Sequence, residues 1–112
     1  KAPELSVVKT STVISDPFNG TNNPKRIPGA VIEYTITVSN ASETSVNDVN
    51  ISDTIADEDS VVNYISGVTS TSNGFTVSFD DDDDEVTSTI NVPAATSSGS
   101  GTAAISFQVE IL

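Results

Sequence analysis

Residues 31–39 read VIEYTITVS, and the strict two-residue period of this stretch constrains the chain more than any other feature. Ile32, Tyr34, Ile36 and Val38 fall on one side, while Glu33, Thr35, Thr37 and Ser39 fall on the other. Successive side chains of an extended strand point to opposite faces, whereas a helix repeats every ~3.6 residues. The segment therefore predicts a strand with one face in a core and one in water, as antiparallel sheets have. The apolar residues elsewhere agree. The chain holds 14 Val and 10 Ile but only two Leu, Leu5 and Leu112, together with 31 Ser and Thr. β-Branched side chains lose rotamer freedom against a helical turn and pack well on a pleated surface. An all-β fold follows.

The same period recurs along the sequence. Residues 4–14 carry apolar side chains on both parities, with Leu5, Val7 and Val13 on one and Val8 and Ile14 on the other. This is longer than an ordinary strand, and predicts one that switches sheets or pairs its outer part with something else. Residues 16–29 hold three Pro, two Gly and three Asn and read as a long loop. Further strands are expected at 46–55 (Val49, Ile51, Ile55 inward), 61–68, 75–79 (Phe75, Val77, Phe79), 85–92 (Val86, Ile90, Val92) and 103–112 (Ile105, Phe107, Val109, Ile111). Asn73-Gly74 predicts a tight turn. About seven strands in this length predict one domain, residues 1–112, folded as an immunoglobulin-like β-sandwich of antiparallel strands. By parity Tyr34, Phe75, Phe79 and Phe107 are core residues, leaving Phe18 and Tyr64 as exposed rings.

Charge narrows the function classes. Sixteen Asp and Glu against four Lys and Arg give a net charge of −12, which opposes nucleic acid and anionic lipid as partners. The chain has no His and no Cys. Their absence removes thiolate nucleophiles, disulfides, the usual zinc ligands and the side chain best suited to proton transfer at neutral pH. An enzyme is not expected. No apolar run reaches the ~18–20 residues of a membrane span, so membrane insertion is not expected either. Position 1 is Lys, which suggests a processed secreted subunit or a domain excised from a longer chain.

Several clusters are candidates for binding or covalent chemistry. Asp80, Asp81, Asp82, Asp83, Asp84 and Glu85 could offer calcium the hard oxygen ligands it takes; alternatively they form a solvated hairpin tip that guards a strand edge. Asp16 and Asn19, with Asn22 and Asn23, form a second oxygen cluster, and Asp53, Asp57, Glu58 and Asp59 a third. No cofactor is required; calcium is the one candidate. Lys9 lies within an apolar strand pattern and needs a carboxylate partner if buried. A sharper reading is a spontaneous amide cross-link from Lys9 to Asn40 or Asp53, promoted by Glu33, against the plain one of a lysine at a strand edge with its head in water. Asn19, Asn40 and Asn50 open N-glycosylation triplets.

Residues 23–55, NPKRIPGAVIEYTITVSNASETSVNDVNISDTI, carry Pro28-Gly29 before the strand, Tyr34 within it, Asn40 closing it, and Val49-x-Ile51-x-Asp53 in the next. With the opening LSVVKT around Lys9 and the loop DPFNGTNNP, this resembles the immunoglobulin-like repeats of bacterial and archaeal surface proteins known as the domain of unknown function eleven family. The sequence departs from that pattern by lacking a Pro soon after Asp53 and by inserting the acidic segment 80–85. The resemblance implies an extracellular domain, usually one of a series, with a structural or adhesive role and no catalytic residue. Together these features predict a secreted or cell-surface structural module. Its expected mode is strand addition between identical subunits into a filament, with residues 4–14 as donor and Leu5, Val7 and Val8 as assembly residues. The alternative is one repeat of an adhesin or stalk that binds an unknown ligand. The acidic surface suits a saline habitat.

Overall fold

A computed structural model describes residues 4–54, 62–71, 77–80 and 85–112. Seven strands follow one another: β1 (Leu5–Ser15), β2 (Val31–Asn40), β3 (Val46–Thr54), β4 (Val62–Thr71), β5 (Val77–Asp80), β6 (Glu85–Val92) and β7 (Gly101–Ile111). They form two antiparallel sheets, ordered β1-β2-β7-β4 and β3-β6-β5, stacked as a β-sandwich. A constant-type immunoglobulin sandwich has the orders 1-2-5-4 and 3-6-7 in the same numbering. This chain exchanges the fifth and seventh strands. The last strand is thus placed in the middle of the larger sheet, where β7 pairs with β2 at every position from Val31↔Glu110 to Asn40↔Gly101.

The long first strand does not switch sheets. β1 pairs with β2 from Leu5↔Asn40 to Ser15↔Val31, with one irregularity between Val13 and Ser15. Residues directly opposite in an antiparallel pair share a face. Val7, Lys9 and Val13 therefore share the inner face with Val38, Ile36 and Ile32.

The core forms where the alternating faces of β2, β6 and β7 meet. Ile32, Ile36, Val38, Val86, Ile90, Val92, Ile105, Phe107 and Val109 are all buried, with Ile51 of β3 joining them. Phe107 is the largest fully buried side chain among the described residues. Tyr34 and Tyr64 pack against it with ring centroids at 5.6 and 6.2 Å, and Tyr64 stacks on Phe79 at 4.3 Å and 5°. Tyr64 is thus not the exposed ring its sequence suggests: β4 pairs with β7, which brings Tyr64 opposite Val109 and over β5. Burial raises its phenol above the usual pKa. Ile55, Phe75 and the Asn73-Gly74 turn lie outside the described residues.

Asn40 ends β2 as a fully buried cap. Its Nδ2 donates to the carbonyls of Thr44 (2.8 Å) and Pro93 (3.2 Å), and its Oδ1 accepts from the Ser42 amide (3.0 Å) and hydroxyl (2.8 Å). One side chain therefore fixes the β2–β3 turn and binds it to the end of β6. Asn40→Ala leaves buried donors and acceptors without partners, so a loss of about 2–3 kcal/mol is expected. Urea unfolding is the check: the midpoint falls while the slope stays unchanged.

Candidate functional site

Four strands face three, and the mismatch falls on β1. β6 stacks on β7 and reaches β2, while β5 stacks on β4. β3 faces β2 and β1 across an open groove of about 330 Å³, lined by Val7, Lys9, Ile36, Val38, Val49 and Asp53 among others. β1 is also the border of its sheet, so its outer edge has no neighbouring strand among the described residues. Leu5, Val7 and Val8 are 41, 64 and 57% exposed, and only Phe18 and Leu112 join them among the exposed large hydrophobics described. Val7 looks into the groove, and Val8 lies on the opposite face. All three expected assembly residues thus sit together on the first half of an open edge.

Lys9 divides that strand. Its Nζ crosses the groove to within 2.8 Å of Asp53 Oδ2 on the facing sheet, and lies 4.5 Å from the centroid of the Tyr34 ring. Asp53 has the inward parity of Val49 and Ile51, and its side chain is only 16% exposed. The contact is short but off the line of a hydrogen bond, because the buried Oδ2 accepts none.

Of the four residues in the expected cross-link, only Lys9 and Asp53 come together. Glu33 lies on the outer face, where its Oε2 accepts from Gln108 Nε2 at 3.2 Å, so it cannot promote chemistry in the groove. Asn40 is opposite Leu5 at the far end of the pairing, with both amide atoms occupied. Tyr34 is the member that the sequence placed only in the core. Its parity puts it on the lysine's face, one inner-facing position along β2 from Ile36, the partner of Lys9.

Asp16, one of the expected calcium ligands, is a structural hub. Its Oδ1 accepts from the amides of Phe18 and Asn19, each at 2.7 Å, and its Oδ2 from Asn19 Nδ2 (2.8 Å) and the Lys25 amide (2.6 Å). Four donors take the lone pairs a cation would need. The same contact commits the amide nitrogen of Asn19, the atom a glycan would require. Desolvation alone would raise the Asp16 pKa, but the bonds from the Asn19 side chain and the amides of Asn19, Lys25 and Phe18 outweigh it and hold the carboxyl at about 2.

The remaining candidates are placed as follows. Asp80 and Glu85 oppose each other where β5 meets β6, and 81–84, like 57–59, lie outside the described residues. Among the described residues no three acidic side chains converge. Asn40 is buried with its Nδ2 donating to two carbonyls, while Asn50 is exposed on β3 with its Oδ1 accepting from Thr89 at 3.0 Å.

Asp16 has a folded pKa of about 2 against an ordinary 3.8. A depressed carboxyl contributes stability above its unfolded pKa and loses it as pH falls through the folded one. Wild-type protein should therefore be more stable than Asp16→Asn at pH 5, with the gap closing between about pH 4 and pH 2. Urea unfolding of both proteins across that range isolates Asp16 from the other carboxylates. Comparison of the chain with family models, characterised proteins and solved structures finds no match, so the role of this surface has to be read from its own geometry.

Proposed function

We propose that the protein is a non-enzymatic extracellular structural module that joins identical copies through β1, as a subunit of a surface filament. The reading is carried by one observation, an eleven-residue border strand whose exposed apolar side chains cluster in its first half. Open strand edges bind further strands by main-chain hydrogen bonds, and proteins ordinarily blunt them with lysine or other charges. Here the one lysine of β1 turns its ammonium inward onto Asp53.

Charge supports a like partner. In a chain of net charge −12, β1 holds no carboxylate at all, and neither does β4, the other border of the same sheet. Acidic copies meet least repulsion along these two strips. Joining β1 of one copy to β4 of the next is a head-to-tail contact, which makes a fibre where its rotation does not close into a ring, whereas β1 to β1 stops at a dimer.

Deleting residues 1–8 tests the proposal. The truncated protein should stay folded by circular dichroism and sediment as a monomer under conditions where the full chain polymerises; unchanged filaments contradict it. Assembly should also strengthen with salt, because the Debye length shrinks from ~10 Å at 0.1 M to ~3 Å at 1 M and screens the carboxylates. Light scattering across that range is the check.

A second reading, one repeat of a surface stalk or adhesin, is favoured by the direction of the chain. Leu5 lies at the Asn40 end of the sheet and Ile111 beyond Val31 at the other, so the chain enters and leaves at opposite poles of a body 50 × 33 × 22 Å in extent. Copies in series would then form a rod.

A further inference from the structure

We infer that Lys9 and Asp53 condense into an amide that ties β1 to β3 across the open side of the sandwich. This stands apart from the filament proposal and needs no second copy. Three observations meet at one point. Nζ and Oδ2 are 2.8 Å apart across two sheets, each side chain held by a strand of its own. Oδ2 is buried and accepts no hydrogen bond. The Tyr34 ring packs 4.5 Å from Nζ and fixes the lysine over the groove.

An amine attacks a carboxyl carbon only when both groups are neutral, so the reaction opens with a proton transfer inside the pair. One proton passes from the Lys9 ammonium to Asp53 Oδ2, leaving a neutral amine beside a neutral acid. The Nζ lone pair attacks Cγ, the Nζ–Cγ bond forms and the Cγ–Oδ2 bond breaks. Oδ2 departs as water, carrying two of the three protons of the former ammonium, and the third stays on the amide nitrogen. Ammonium plus carboxylate becomes amide plus water. Nothing is oxidised or reduced, and no co-reactant enters. Glu33 faces away, bonded to Gln108, and the step balances with both transfers inside the pair. What replaces a catalyst is placement: reacting groups held in position reach effective molarities of ~10⁵–10⁸ M.

The product fixes β1 covalently at Lys9 and leaves residues 5–8 beyond the tie. It would hold the two sheets together on the one side where packing does not.

Intact-mass measurement of the denatured wild-type protein tests the inference, since the mass should fall short of the sequence by one water. Fragmentation of a digest should then recover a Lys9 peptide joined to an Asp53 peptide. Lys9→Arg and Asp53→Ala should show their full sequence masses. Asp53→Asn should lose ammonia instead and converge on the mass of the linked wild type. A wild-type chain at its full sequence mass overturns the inference, as does a water loss with no linked peptide. Neither outcome depends on a variant folding.

Discussion

A four-stranded layer laid against a three-stranded one leaves a strand without cover, and in this protein that strand is β1. Its inner face meets a groove where a neighbouring strand would otherwise complete the second sheet, and its outer edge meets solvent. Of the two properties that a joining surface needs, unburied apolar side chains arise from that mismatch, and open main-chain groups from the strand's place at the border of its sheet. Lys9 crosses the gap to meet a side chain of the shorter sheet. Its partner Asp53 is drawn inward by the same parity that buries Ile51.

The exchange of β5 and β7 makes β5 rather than β7 a border of the smaller sheet, while β1 and β4 border the larger one in either order. With β7 between β2 and β4, the chain's last strand is held on both sides and by the deepest part of the core. The loops at the two poles are anchored by single polar residues. Asp16 organises the loop from residue 16 onward through its carboxylate, and Asn40 closes the opposite end through its amide. Gly29 completes the Asp16 pole. Its φ of +88° suits glycine, a Cβ there would meet Pro17 at 2.5 Å, and its amide donates to the Ile111 carbonyl at 2.7 Å. The C-terminal strand is thereby bound to the loop between β1 and β2.

Much of the fold was legible in the sequence because alternation is a local signal. The inner faces of β2, β6 and β7 match the parities of Ile32, Val86 and Ile105. Strand order was not legible, since it depends on pairings between residues far apart in the chain. Parity also tells which way a side chain points, not whether anything covers it. Val7 and Val38 share a face, yet one is exposed and the other buried. Tyr64 fails in the reverse sense, through its stacking on Phe79. The pairing of Lys9 with Asp53 was within reach of sequence reasoning, and Glu33 could have been set aside from its own solvent-facing parity. The turn-anchoring roles of Asp16 and Asn40 were not read from the sequence, because the residue types that bind cations and sugars are the same ones that cap turns.

Backbone hydrogen exchange along β1, followed from dilute protein in low salt to concentrated protein in high salt, reads the open edge directly. Amides on its solvent side exchange quickly when no strand lies alongside. If copies join there, the amides of residues 5–8 become protected as larger species form, while β2, already paired on both sides, does not change. Equal exchange in β1 at every concentration, with or without larger species, would show that the edge stays empty and that β1 is not the joining surface.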